Sequence, residues 1–177
     1  MSSVVKGEPQ VVLTTDASGA WGCGAYTSTG LWFQLKFPDS WSEIHITVKE
    51  LVPIVMAVAV WGYLWKGATV SCRCDNMAVV AIVNSGRSKM DRAMHLMRCL
   101  SFFLARWDVT LVCQHIPGID NGAADALSRD SLLLFQQLVP ESAAEATHIP
   151  EGLLQCLVRE TPDWTKVDWV TLFSGST

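Results

Sequence analysis

The feature that most constrains this chain is its longest uncharged apolar run, Leu51 to Trp65, with Pro53 near its start. Its 15 residues fall short of a membrane span, which takes about 18 or more. The run is therefore read as a helix buried in a protein core. Half of the 177 residues are apolar and 17% are charged, so a core large enough to cover it is available. That balance also excludes a disordered chain. Just upstream, "TVKE" has the form of a capping box, with Thr47 as N-cap and Glu50 at N3. A helix is predicted from there to about Trp65. Pro53 deletes a backbone donor inside it, so a kink near Val52, or a later start, is expected.

Around this helix the chain alternates between two kinds of pattern. Residues 10–16 read as a strand ending on Asp16. Residues 20–28 and 31–37 read as two more, rich in aromatics and joined by "STG". Short turns make these three an antiparallel meander. "ATVSCRCD" predicts a fourth strand, ending on Asp75, and "NMAVVAIVNSG" a short helix stopped by Gly86. "KMDRAMHLMRCLSFFLARW" has apolar residues at helical spacing. "DVTLVCQHI" is a fifth strand, "PGIDNG" turns, and "AADALSRDSLLLFQQL" reads as one last helix.

Strands joined through helices pair in parallel. The predicted fold class is therefore α/β, a five-stranded mixed sheet of three antiparallel strands with parallel additions, flanked by helices. Residues 1–9 read as an extension and 10–135 as the domain. Residues 136–177 read as a linker, "VPESAAEATHIPEG", and a short helical tail. In "TPDW", Thr161 is the predicted N-cap and Pro162 the first helical residue, with the helix running to about Phe173. This tail is expected to be dispensable for folding and chemistry.

The six cysteines (23, 72, 74, 99, 113 and 156) show no C-x-x-C pair or zinc spacing, and core packing is expected for them. "MSSVVKGEPQ" lacks a signal-peptide layout, and the expected location is intracellular, cytoplasmic or nuclear, with no membrane partner. The net charge of −4 sits in the tail, where six acids face two bases. Residues 1–135 balance at eleven of each. Between Gly86 and Arg106 five bases (Arg87, Lys89, Arg92, Arg98, Arg106) face one acid, Asp91. This stripe is the expected seat for phosphates.

Four acids stand where elements meet. Asp16 and Asp75 end strands that the topology makes parallel neighbours, and ligands bind in the crevice at such strand ends. Glu50 and Asp125 lie in the first turns of two helices. Four carboxylates at one sheet edge repel one another unless cations sit among them, and hard oxygen donors suit Mg²⁺ or Mn²⁺. Two such ions clamp the attacking and leaving oxygens of an in-line phosphoryl displacement. Gly19, Gly22 and Gly24, just past Asp16, are expected to let a phosphate backbone approach. Taken singly, each acid also has a plain structural role: Glu50 in the capping box, Asp16 and Asp75 at turns, Asp125 as a charge near a helix N-terminus.

"TTDASGAWGCGAY", "ELVPIVMAV", "CDNMAVV" and "HIPGIDNGAADALSR" resemble, in order, the four motifs of a retroelement ribonuclease H domain. The match spans about residues 10–135. "ELVPIV" followed by "WG", with the tail "TPDWTKVDW", looks most like the DIRS/Ngaro class of tyrosine-recombinase retrotransposons. The resemblance implies a ribonuclease H-like fold and a catalytic set of Asp16, Glu50, Asp75 and Asp125 holding two Mg²⁺ (or Mn²⁺) ions. It also implies an assisting His, matched by His115. The implied reaction is endonucleolytic cleavage of the RNA strand of an RNA–DNA hybrid, the RNA picked out through its 2′-hydroxyls. Asn76 and Asn121 are candidates to contact the hybrid or brace the site, and Arg87, Lys89, Arg92 and Arg98 to hold its phosphates. Implied partners are the reverse transcriptase and tyrosine recombinase domains of a parent polyprotein. This chain has no Y-x-D-D box, and its "HLMR" lacks a downstream Tyr, since Tyr26 and Tyr63 both precede it.

Three other readings fit the same fold class. One is a DNA nuclease or integrase. Another is a catalytically silent module that binds nucleic acid. The third is a domain that supports a reverse transcriptase.

Overall fold

The computed structural model describes residues 11–159 and 163–174. The expected Thr161–Pro162 helix start lies outside them.

Strands β1 (Val11–Ala17), β2 (Gly22–Thr27) and β3 (Trp32–Lys36) form the antiparallel meander. Asp16 lies opposite Gly24, which lies opposite Gln34. Helix α1 (Ile46–Trp61) follows, buried at every position from Thr47 onward. Its N-cap is His45, whose Nδ1 accepts from the Thr47 backbone N–H at 3.1 Å. The capping box of Thr47 and Glu50 is therefore not made. The helix begins two residues earlier than expected, which moves Glu50 a turn inside, where its carboxylate is released from capping. Pro53 does not interrupt α1; packing on all sides holds the helix through the missing donor. With the 3-10 turn that extends it, the helical stretch Ile46–Trp65 is long and apolar enough to cross a membrane, but 89% of its most apolar 18-residue window is buried inside the protein.

Strand β4 (Thr69–Cys74) pairs in parallel with β1. The next elements are α2 (Met77–Ser85), α3 (Asp91–Trp107) and β5 (Thr110–His115), the last parallel to β4. The sheet order is β3-β2-β1-β4-β5. This is the mixed sheet that the element order predicts. The open edge of β5 is closed by Asn84 of α2, whose amide donates to Cys113 O and accepts from Cys113 N, both at 2.9 Å.

Alternation along one strand separates the two layers. Phe33 faces the α1 side, its ring 5.1 Å from that of Trp61. Trp32 faces the other side, where α4 (Gly122–Ser128) and α5 (Leu132–Leu138) pack, its ring 5.4 Å from that of Phe135. A single helix over "AADALSRDSLLLFQQL" is expected, but the chain breaks it at Asp130, which takes a left-handed φ of 59°. The break lets Leu127 seat on β2 and Phe135 turn back onto Tyr26 and Trp32.

The stretch from residue 139 is not a detached linker. Ala143 N donates to Gly30 O and Thr147 N to Trp32 O, both at 2.8 Å, covering the β3 edge. Helices α6 (Leu153–Val158) and α7 (Trp169–Ser174) follow. Leu153, Cys156, Leu157, Val158, Val167 and Leu172 join the same buried core as α1 and α3. The physical reason is α1 itself: a helix apolar all round needs cover beyond one sheet and one helix. All six cysteines are free and buried.

Candidate active site

Asp16 and Asp75 stand at the C-terminal ends of the parallel neighbours β1 and β4, and Glu50 reaches them from α1. Among the described residues, these three acids form the group whose ligand oxygens all lie within 4.8 Å of one another. Asp16 is 6% exposed and Glu50 8%. Glu50 Oε2 is buried without a hydrogen-bond partner. A buried carboxylate oxygen left without a donor, in a set of hard oxygen ligands, is the arrangement a divalent cation completes. These residues therefore fit the metal that the resemblance implies.

Asp125, on α4, stands outside this tight trio. Its Oδ1 accepts from Arg129 Nε at 2.9 Å, in a half-exposed pair. Ser128 Oγ lies 3.0 Å from Asp16 Oδ2 and 2.8 Å from Asp125 O. Asn121 is 1% exposed, and its Nδ2 donates to Thr15 O at 3.2 Å, tying the loop before α4 to β1 beside Asp16. It braces the site from within. Asn76 caps α2, accepting from Ala78 N and Val79 N, and its side chain also favours the charged form of Glu50. His115 is exposed at the end of β5, paired in register with Cys74. The loop after it brings Gly118 alongside Asp75, whose Oδ2 would lie 3.4 Å from a Cβ there.

Two expectations change. Gly22 and Gly24 serve the protein's own packing: a Cβ would meet Leu35 O at 1.8 Å and Leu127 Cβ at 2.3 Å, respectively. Gly19 alone of the three opens to free space. The basic stripe is only partly a free face. Arg92 Nη1 donates to Val158 O at 3.1 Å, and Arg106 lies over the rings of Trp107 and Phe173. Arg98 borders a groove with Trp164 and Trp169. The segment after α5 occupies part of this side of α3, while Arg87, Lys89, Arg98 and Arg106 remain exposed.

Sequence reasoning passes over Ser128, Arg129 and Lys49. Ser128 and Arg129 follow Asp125 at helical spacings of three and four, which place them on its side of α4. Lys49 is 3% exposed, and its Nζ donates to Gly19 O at 3.2 Å beside the Phe37 ring. No pattern in the sequence marks a lysine as buried.

Burial pushes Asp16 up to about 7, with repulsion from Asp75 and Asp125 adding to it and the Ser128 hydrogen bond opposing. Burial likewise pushes Glu50 up to about 7, opposed by Asn76 and reinforced by Asp16 and Asp75. Between about pH 4 and 7 the folded protein keeps protons that the unfolded chain has released. Metal-free stability therefore falls as pH rises through that window. For Asp16 the full effect is on the order of 4 kcal/mol, of which about 2–3 kcal/mol falls between pH 5 and 8, or about 5–10 °C in melting temperature. The metal-free protein is expected to melt that much lower at pH 8 than at pH 5, relative to Asp16→Asn. Mg²⁺ should recover most of the loss at pH 8. Calorimetric melting across the window checks this, and a relative melting temperature that rises with pH would contradict it.

No protein-family model matches the sequence, and no curated protein does. Chains of known structure match by shape. Ribonuclease H1 from the halophilic archaeon Halobacterium salinarum is 16% identical with a TM-score of 0.53, covering 69% of this chain and 96% of that one. The N-terminal RNase H domain of a Mycobacterium tuberculosis protein is 16% identical with a TM-score of 0.57, covering 68% and 97%. LC11-RNase H1, solved in complex with an RNA/DNA hybrid, is 17% identical with a TM-score of 0.51, covering 71% and 98%. The fold is ribonuclease H-like.

Proposed function

We propose that this chain is a divalent-metal-dependent endoribonuclease that cuts the RNA strand of RNA–DNA hybrids. The observation that carries the reading is the trio of Asp16, Glu50 and Asp75, gathered within 4.8 Å at the ends of parallel strands. A neighbour of the same fold solved with an RNA/DNA hybrid supports the substrate class. Asp16, Glu50 and Asp75 would hold one ion, and Asp16 with Asp125 a second. Such ions, Mg²⁺ or Mn²⁺, would supply an activated water and charge stabilisation at the leaving 3′-oxygen. Gly19 gives the phosphate backbone room beside Asp16. His115, exposed at the adjacent strand end, would help move protons as the leaving strand departs.

The four motifs, above all "HIPGIDNGAADALSR", support an origin in a retroelement polyprotein, and "ELVPIV" followed by "WG", with the tail "TPDWTKVDW", supports the DIRS/Ngaro type. Reverse transcriptase and tyrosine recombinase domains would be its partners, in an intracellular setting. With Arg92 and Arg106 engaged by the protein itself, the domain's own grip on phosphates would fall to the exposed Arg87, Lys89 and Arg98. A polymerase would supply the rest.

The test is direct. The purified chain is incubated with end-labelled RNA–DNA hybrid, duplex DNA and duplex RNA, in Mg²⁺, Mn²⁺ or chelator. Cleavage of the hybrid's RNA strand only, and only with metal, is expected. Equal cutting of duplex DNA would move the domain to the DNA nucleases. Absence of cleavage with either metal would remove the enzymatic reading.

A further inference from the structure

We propose that Ser128 is a positioning residue for the carboxylate trio, its hydroxyl holding Asp16 Oδ2 so that the other carboxylate oxygen is presented to a cation. The proposal rests on the metal-binding reading above and assigns a role to a side chain outside the ligand set.

Ser128 is fully buried at the last turn of α4. Its Oγ is 3.0 Å from Asp16 Oδ2 and 2.8 Å from Asp125 O. One hydroxyl proton serves one acceptor at a time, and an ionised carboxylate is the stronger acceptor. The backbone is stitched to the same place: Ser18 Oγ donates to Ser128 O at 2.6 Å, and Ser18 lies two residues beyond Asp16. The end of α4 thus grips both the Asp16 carboxylate and the chain that follows it.

Packing alone does not call for a hydroxyl here. The buried positions of α4 before it are Ala124, Ala126 and Leu127, all apolar, and alanine would continue that helix at least as well. What serine adds is a donor in a pocket whose other nearby side-chain groups on Asp16 are acids, Asp75 and Asp125. A ligand oriented in advance does not have to be ordered when the ion arrives, and partners of this kind typically carry about 10–100-fold of metal affinity.

The experiment is calorimetric titration of the full chain with Mn²⁺ at fixed pH, for the wild type and Ser128→Ala, with thermal melting of each. Ser128→Ala is expected to melt cooperatively and to bind Mn²⁺ about 10–100-fold more weakly. Its hybrid cleavage should fail at low Mn²⁺ and return at saturating Mn²⁺, a rescue that a damaged fold would not show. Should Ser128→Ala not fold, Ser128→Cys, with similar shape and a weak donor, carries the same expectation. Unchanged Mn²⁺ affinity in a folded variant overturns the role of Ser128 alone. A wild-type chain that binds no Mn²⁺ overturns the metal reading, and this proposal with it.

Discussion

Asp75→Asn is expected to lower hybrid cleavage by about 10³-fold or more while raising the stability of the metal-free protein. The two effects share one cause. Asp75 sits with Asp16 and Glu50 inside 4.8 Å, and its charge helps to push both of them up. Without a cation, that charge is a cost. At such a separation, in a partly buried setting, removing it should stabilise the fold by roughly 1–3 kcal/mol at pH 8. The melting temperature would rise by about 3–10 °C. With metal the sign reverses. A neutral amide in place of one carboxylate weakens the hold on the ion, and charge stabilisation by bound metal is worth several kcal/mol in the transition state, each 1.36 kcal/mol being tenfold in rate. Asp125→Asn makes a useful contrast. Asp125 already faces Arg129, so its removal should stabilise the metal-free fold little. Parallel melting and cleavage assays of the two variants check the pair. Near-native cleavage by Asp75→Asn would remove the trio from the chemistry.

How much of this was legible without coordinates depends on the range over which each residue's role is decided. The strand-end acids were legible. Asp16 and Asp75 close apolar runs, and a crossover connection makes those runs parallel neighbours, so their meeting follows from topology. Glu50 lies in the predicted helix, but the local reason the sequence offers for it does not hold. Thr47 and Glu50 have the capping-box spacing, but the helix starts at Ile46 behind a His45 cap. A cap is decided by the loop that enters the helix, and "FPDSWSEIHI" marks a loop without marking which of its last residues caps the helix. The break at Asp130 was hidden because "ALSRDSLLLF" keeps helical apolar spacing across it. The break is set by where Phe135 must reach, on a strand about a hundred residues earlier. Ser128 and Lys49 are legible only as neighbours of Asp125 and Glu50, because burial of a hydroxyl or an ammonium group leaves no mark in a one-dimensional pattern. The tail misled for a related reason. Its Pro, Gly and small residues are those of a linker, and the same residues let a chain lie flat along a sheet edge.

Truncation after Leu138 is expected to cost the domain its soluble, cooperatively folded state, although the residues of the trio all remain. Leu153, Leu157, Val158, Val167 and Leu172 are each at most 5% exposed. At about 1.5–3 kcal/mol for burying each such side chain, their gross contribution is on the order of 8–15 kcal/mol. That is an upper bound, and the entropy of ordering the segment offsets part of it. It still compares with the whole margin of a typical domain, about 5–15 kcal/mol. The loss on the body side adds to this. Trp41 Nε1 donates to Val158 O at 3.1 Å, Trp61 Nε1 to Thr147 Oγ1 at 3.0 Å, and Trp32 Nε1 to Ala143 O at 2.7 Å. Truncation would strip partners from three indoles and uncover the apolar flank of α1, a surface that drives association. Leu157→Ala samples the same interface gently and should cost about 2–5 kcal/mol, read as a lower melting temperature with cleavage retained below it. Solubility, circular dichroism and melting of the truncated chain decide the matter. A monodisperse product that melts sharply within about 5 °C of the full chain would show that residues 139–177 only rest on the domain, leaving its stability to the sheet, α1 and α3.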